Sequence, residues 1–83
     1  LVKLYLMPLD FGGQDSSINT LFVPESANNQ KNNFDSKIAN MLESGIQIQY
    51  SAGPEYKGSS FIPSKLIINI TGDKIITEVI DIW

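Results

Sequence analysis

The sequence predicts an α+β domain in which one helix packs on a mostly antiparallel sheet of about four strands with a C-terminal β-hairpin. A single stretch has helical periodicity, several short runs have the alternation or β-branched content of strands, and a Thr-Gly-Asp-Lys turn separates the last two of these runs. The chain has 83 residues, of which 42% are hydrophobic. We therefore expect one domain, residues 1–83, with a small core.

The N-terminal third predicts two strands around a polar turn. In residues 2–9 the side chains alternate until Pro8, which cannot donate a hydrogen bond to a sheet. Residues 10–19 are polar and contain two glycines and two aspartates, which is typical of a turn. Residues 20–23 are a short β-prone run that ends before Pro24.

The helix is predicted over residues 26–44. Its apolar face is formed by Phe34, Ile38, Met41 and Leu42. Ser26 is a candidate N-cap, and Gly45 is a candidate for the residue that ends the helix. Because residues 28–33 are poor helix formers, a start near Asn33 is the alternative.

The C-terminal half predicts mainly β structure. Residues 46–50 alternate as a half-buried strand does, and residues 51–60 contain the Gly and Pro residues of a loop. Residues 61–71 and 75–83 are two long β runs. The Gly-Asp pair between them favours a hairpin with a two-residue turn.

That two-residue turn predicts which isoleucines face the helix. It places Ile70 opposite Ile75, with Ile68 on the core face. The other face then carries four isoleucines, more than a solvated sheet surface usually has. These residues are Ile67, Ile76, Ile80 and Ile82. We expect them to form an interaction face for a protein partner or for a second copy of the chain in a homodimer.

The composition disfavours several classes of function. The chain has no His and no Cys, which removes the commonest general base, the commonest metal ligand, thiolate chemistry and disulfides. Its basic residues are six scattered lysines in a chain of net charge −3, so nucleic acid is a poor partner. No apolar run approaches the roughly 18–20 residues of a membrane span, and no secretory signal is visible. We expect a cytoplasmic protein that is not an enzyme and has no cofactor or membrane partner.

Three loop residues are candidates for binding. Asp10 and Asp15 flank a Gly-Gly turn and would suit a hard cation, which prefers at least about six oxygen ligands. The loop has neither the spacing nor the Glu of an EF-hand, so we predict solvated aspartates and no metal site. Tyr56 lies in the predicted loop 51–60, and loops on rigid scaffolds often carry contact residues.

An ordered set of short motifs runs through most of the chain: Phe-Gly-Gly at 11–13, NTLFVP at 19–24, the helix ending at Gly45, and the final hairpin. This order resembles the C-terminal half of the DNA/RNA non-specific endonuclease family of bacterial toxins. The resemblance implies a general-base His where this chain has Tyr5, and a metal-holding Asn where it has Gln30. It therefore implies a relative without catalytic activity.

The sequence favours a non-catalytic protein-interaction domain, and its most specific form is an immunity- or antitoxin-like protein in bacterial competition. The alternative is a trimmed or degenerate nuclease-type toxin fragment whose active residues lie upstream of Leu1. A third hypothesis is a small-ligand or cation-binding domain that uses the loop between Asp10 and Asp15.

Overall fold

The computed structural model describes all 83 residues, which form one α-helix and two antiparallel sheets. The elements are β1 (Val2–Tyr5), β2 (Thr20–Val23), α1 (Glu25–Glu43), β3 (Ile48–Glu55), β4 (Lys65–Gly72) and β5 (Ile76–Asp81). β1 pairs with β2, and β3, β4 and β5 form a three-stranded sheet in that order. The α+β class is confirmed, but two sheets of two and three strands replace the predicted single sheet of about four.

β1 ends at Tyr5, earlier than the sequence predicts: the N–H of Leu6 still donates to the backbone oxygen of Asn19, and from Met7 onward the side chain of Asn19 replaces the strand pairing. The N–H of Met7 donates to Asn19 Oδ1 at 2.8 Å, and Asn19 Nδ2 donates to the carbonyl oxygens of Met7 and Gln14 at 2.9 Å each. This bracing closes the polar segment into a compact turn. The β1–β2 hairpin is thereby completed without the larger sheet.

α1 begins and ends one residue before the predicted bounds. Pro24 occupies the N-cap position and no side chain caps the helix, so Ser26 does not have the predicted role. At the other end, the N–H of Ile46 donates to Met41 O and that of Gly45 to Leu42 O, the two bonds of a Schellman motif. Gly45 has a φ of +91°, which confirms it as the residue that ends the helix.

The core is shared by both sheets and the helix. Its nine buried residues are Leu4, Val23, Ala27, Phe34, Ile38, Leu66, Ile68, Ile70 and Ile80. Two of them come from the small hairpin, three from α1 and four from the three-stranded sheet. The first half of α1 is helical despite its weak propensity because this packing outweighs the intrinsic preference of its residues.

The C-terminal hairpin has a register one residue away from the predicted one. Ile70 lies opposite Ile76, not Ile75. The reason is Asp73, which does not form a tight turn but bonds to the segment before β3: its N–H donates to Gln47 O at 3.0 Å, and its Oδ2 accepts from Gln47 N–H at 2.9 Å. The connection between the strands is therefore longer than two residues.

The register shift moves three residues of the predicted interaction face to the core side. Ile80 is 2% exposed in the core, and Ile76 and Ile82 pack against it as partly buried residues. Only Ile67 remains on the outer face, the side of the three-stranded sheet that points away from α1. The predicted set of four is therefore wrong as a single face.

The chain has no helix that is both long enough and apolar enough to cross a membrane.

Candidate functional site

The three-stranded sheet has two edges, and they differ in how they are protected. β3 contains Pro54, which has no N–H to offer to an added strand. β5, with the sequence ITEVID, contains no Pro or Lys, two residues that often block edge strands. Only its two acidic residues, Glu78 and Asp81, belong to the charged residues that can discourage the addition of a further strand. Proline thus removes one outward N–H from β3, whereas no residue of β5 lacks its N–H.

The backbone of β5 points alternate residues toward β4 and toward solvent. The N–H of Ile82 donates to Ser64 O at 2.8 Å, so the even-numbered residues of β5 bond to β4. Antiparallel geometry then directs the N–H and C=O groups of Thr77, Val79 and Asp81 away from the sheet. No other segment of the chain bonds to these groups, and all three residues are exposed. They form a row of free donors and acceptors, which we call the β5 edge.

An apolar pair lies on the outer face beside the β5 edge. Ile67 is directly opposite Val79 on one side and Gly53 on the other. Because Gly53 has no side chain, Ile67 has no cross-strand cover from β3, and Val79 is 47% exposed. The next pair along the strands is polar, with Thr77 Oγ1 donating to Asn69 Oδ1 at 3.0 Å. An apolar contact with a polar border is the usual composition of an interface patch.

Exposed aromatic side chains gather around the loop between β3 and β4. Phe61 and Tyr56 lie in this loop and are 97% and 49% exposed. Trp83, which is 54% exposed, is held against it because its Nε1 donates to Ile62 O at 2.9 Å and the Nζ of Lys57 lies 5.2 Å from its ring centroid. The predicted contact residue Tyr56 therefore lies on an accessible loop, and its role in binding stays a prediction.

A buried charged cluster connects α1 to β3. Lys31 is 2% exposed, and its Nζ donates to Asp35 Oδ2 at 2.7 Å. The hydroxyl of Tyr50 donates to Asp35 Oδ1 at 2.5 Å, and Lys31 Nζ lies 5.5 Å from the Tyr50 ring centroid. Phe11 packs edge-on against Tyr50 with 5.6 Å between ring centroids.

Burial dominates the electrostatics of this cluster. It lowers the pKa of Lys31, while the hydrogen bond and the charge of Asp35 act in the opposite direction. For Tyr50, burial together with the adjacent Asp35 raises the pKa well above its ordinary value. Both groups already bond to the carboxylate of Asp35. These hydrogen bonds hold α1 on β3, and they occupy the polar groups of Lys31 and Tyr50 within the cluster.

Two shallow depressions adjoin the cluster. One, of about 470 Å³, is lined mainly by polar residues of the N-terminal segment and α1, including Lys3, Asn32 and Asp35. The other, of about 370 Å³, is mainly apolar, and Phe11 and Asp10 line both. Asp10, a predicted loop candidate, therefore lies on a wall between a polar and an apolar depression.

The structure gives no support to a cation site in the loop of Asp10 and Asp15. Asp15 Oδ1 instead lies 3.5 Å from Lys3 Nζ, in an ion pair between exposed side chains. Nowhere in the chain do three or more His, Cys, Asp or Glu side chains gather in a way that would hold a metal ion. The two aspartates have separate surroundings.

Sequence reasoning missed Val79 and the cluster around Lys31. A two-residue turn places Val79 on the core side of the hairpin, whereas the observed register pairs it with Ile67 on the outer face. Lys31 was missed although it lies in line with Ala27 and Phe34 on the buried face of α1, at the spacing of a helix face. That spacing, with Asp35 four residues further on, would have predicted a buried ion pair.

Comparison of the chain with protein-family models, with curated proteins and with solved structures gives no significant match. The resemblance to the nuclease toxins therefore stays a prediction.

Proposed function

We propose that this chain is a non-catalytic protein-binding domain that takes an extended segment of its partner as a further strand beside β5. The observation that supports the proposal is the row of unpaired backbone groups at Thr77, Val79 and Asp81 on an edge without Pro or Lys. In strand addition, such groups provide affinity through main-chain hydrogen bonds, and alternate side chains provide specificity.

The side chains beside the β5 edge define what an added strand would meet. On the outer face, an apolar side chain of the partner would extend the contact between Ile67 and Val79. On the core side it would lie next to Glu78 and the buried Ile80. A partner segment with alternating character and no like charge beside Glu78 fits this surface.

An immunity- or antitoxin-like role in bacterial competition is the more specific proposal. It is supported by the absence of His and Cys and by the resemblance of the motif order to the nuclease toxins. Proteins of this kind act by binding, so the role needs no catalytic residues.

The proposal is tested by selecting displayed random peptides on the immobilised protein and measuring their affinity for two variants. Val79→Pro removes one outward N–H and leaves every bond between β5 and β4 in place. Val79→Ala keeps that N–H and removes only side-chain contact. We expect Val79→Pro to weaken the selected peptides by about tenfold or more, the equivalent of about 1.4 kcal/mol, and Val79→Ala to weaken them less.

Circular dichroism and the unfolding curve of each variant serve as the control for folding. Peptides that bind Val79→Pro as tightly as the wild-type protein would contradict strand addition at β5.

A further inference from the structure

We infer that the partner which fits the β5 edge is a second copy of this chain, paired through antiparallel β5 strands around a two-fold axis at Val79. The inference rests on the proposed function, because it names the partner of the same surface. Its basis is the register that symmetry imposes, the side chains that this register brings together and the protection of the opposite sheet edge.

Symmetry limits the registers that are available. In a two-fold antiparallel pair, one residue of β5 lies opposite its own counterpart, and the outward-facing residues form the hydrogen bonds. With the axis at Val79, Val79 pairs with Val79 of the second copy, and Thr77 pairs with Asp81 of the second copy and the reverse. All three residues of the β5 edge then have partners, which gives about six new hydrogen bonds because each such pair exchanges two.

The same register produces a favourable set of side-chain contacts. On the outer face the two Val79 side chains meet, and Ile67 lies behind each of them, so four apolar residues form a band across the junction. On the core side Glu78 lies opposite Ile80 of the second copy. No acidic residue directly faces another acidic residue.

The neighbouring registers are less favourable. An axis at Glu78 places the two Glu78 side chains directly opposite each other, which is destabilising. An axis at Ile80 places Val79 beside Asp81 of the second copy and separates the two valines. The axis at Val79 keeps the valine contact and moves the two glutamates to diagonal positions about 7–8 Å apart, where their repulsion is weaker than in a directly opposite pair.

The opposite edge of the sheet explains why such an assembly would stop at two chains. Pairing through β5 joins two three-stranded sheets into one sheet of six strands. Both remaining edges of that sheet are β3 strands, and each carries Pro54. Each Pro54 removes one outward N–H from its edge, and the two-fold interface uses the β5 edge of both copies, so the pairing closes at two chains.

The absence of cysteine allows the register to be tested by disulfide trapping, because each introduced cysteine is the only thiol in the chain. Paired residues that exchange hydrogen bonds have Cα atoms about 5.5 Å apart, within the range of a disulfide. We expect Val79→Cys alone to form a covalent dimer under mild oxidation. Thr77→Cys alone and Asp81→Cys alone should form little, since each lies four residues, about 13 Å, from its own counterpart. An equimolar mixture of these two variants should form the mixed disulfide.

Light scattering of the wild-type protein provides the second measurement, and we expect a dimer that Val79→Pro weakens by about tenfold or more. A wild-type monomer at millimolar concentration, or preferential trapping by Glu78→Cys over Val79→Cys, would overturn the inference. If the protein is monomeric but selected peptides still lose affinity for Val79→Pro, only the second-copy inference fails. If those peptides bind Val79→Pro equally well, the proposed function fails with it.

Discussion

Asp35 is the residue on which the buried cluster depends, because it accepts hydrogen bonds from both Lys31 and Tyr50. A buried ion pair gains little net stability over an apolar pair, but the removal of one partner leaves the other charge uncompensated. The pair between Lys31 and Asp35 follows from helix spacing and could have been predicted. The contact with Tyr50 could not, because the two residues are fifteen positions apart in the chain and meet only after folding.

The raised pKa of Tyr50 makes the stability of the fold depend on alkaline pH. Above its ordinary value of about 10, the tyrosine loses its proton in the unfolded chain and retains it in the folded protein. Its contribution to stability is therefore fully present below pH 10 and decreases as pH rises further. Tyr50→Phe removes this contribution together with a charged hydrogen bond worth about 1.5–3 kcal/mol.

We expect the wild-type protein to be more stable than Tyr50→Phe at pH 8 and this advantage to shrink at pH 11, as measured by urea unfolding. Lys31 has the opposite influence on the pH dependence. Because its pKa is lower in the folded protein than the 10.5 of the unfolded chain, its contribution to stability increases as pH rises toward 10.5. Lys31 is present in both proteins, so the comparison isolates Tyr50. An advantage that stays constant between the two pH values would contradict this account.

At the scale of the elements, the hairpin register determines which surface is available for binding. The Gly-Asp pair has the local pattern of a two-residue turn, but Asp73 forms its bonds with Gln47, a residue distant in the sequence. In addition, Gly72 has a φ of +106°, and a Cβ there would lie 2.8 Å from Gln47 O. These constraints come from β3 and are not visible in the turn itself.

The observed register predicts that two isoleucines differ in how well they tolerate a charge. Ile76→Asp places a charge against the core and should lower the free energy of unfolding by about 2 kcal/mol or more. Ile67→Asp, the matched variant on the outer face, should cost less than about 1 kcal/mol. Urea unfolding measures both. An Ile76→Asp variant as stable as Ile67→Asp would instead support the two-residue turn, which places both isoleucines on the outer face.

The helix was predicted to within one residue at each end, whereas β3 was predicted too short. The end of α1 is encoded locally, since Gly45 adopts a positive φ and closes the Schellman bonds. β3 extends through Gly53 and Pro54, which are residues typical of loops. Its register places the backbone nitrogen of Pro54 on the free side of the strand, where a missing N–H costs no bond to β4.

At the scale of the whole molecule, the α+β class follows from the sequence but the division into two sheets does not. Alternation along a strand shows that one face is buried, and it does not show which strand is its neighbour. Here the small hairpin supplies Leu4 and Val23 to the same core as the larger sheet without pairing to it. The two sheet edges, and with them the candidate binding surface, became visible only when the pairing was known.

The central claim is that the β5 edge is free in the isolated chain, and amide hydrogen exchange followed by nuclear magnetic resonance tests it most directly. In dilute protein we expect the amides of Thr77, Val79 and Asp81 to exchange rapidly, while those of Glu78 and Ile80, which bond to β4, exchange slowly. At high protein concentration the three rapid amides should become protected as the edge pairs. Slow exchange of all three in dilute, monomeric protein would contradict the account, because the chain itself would then cover the edge.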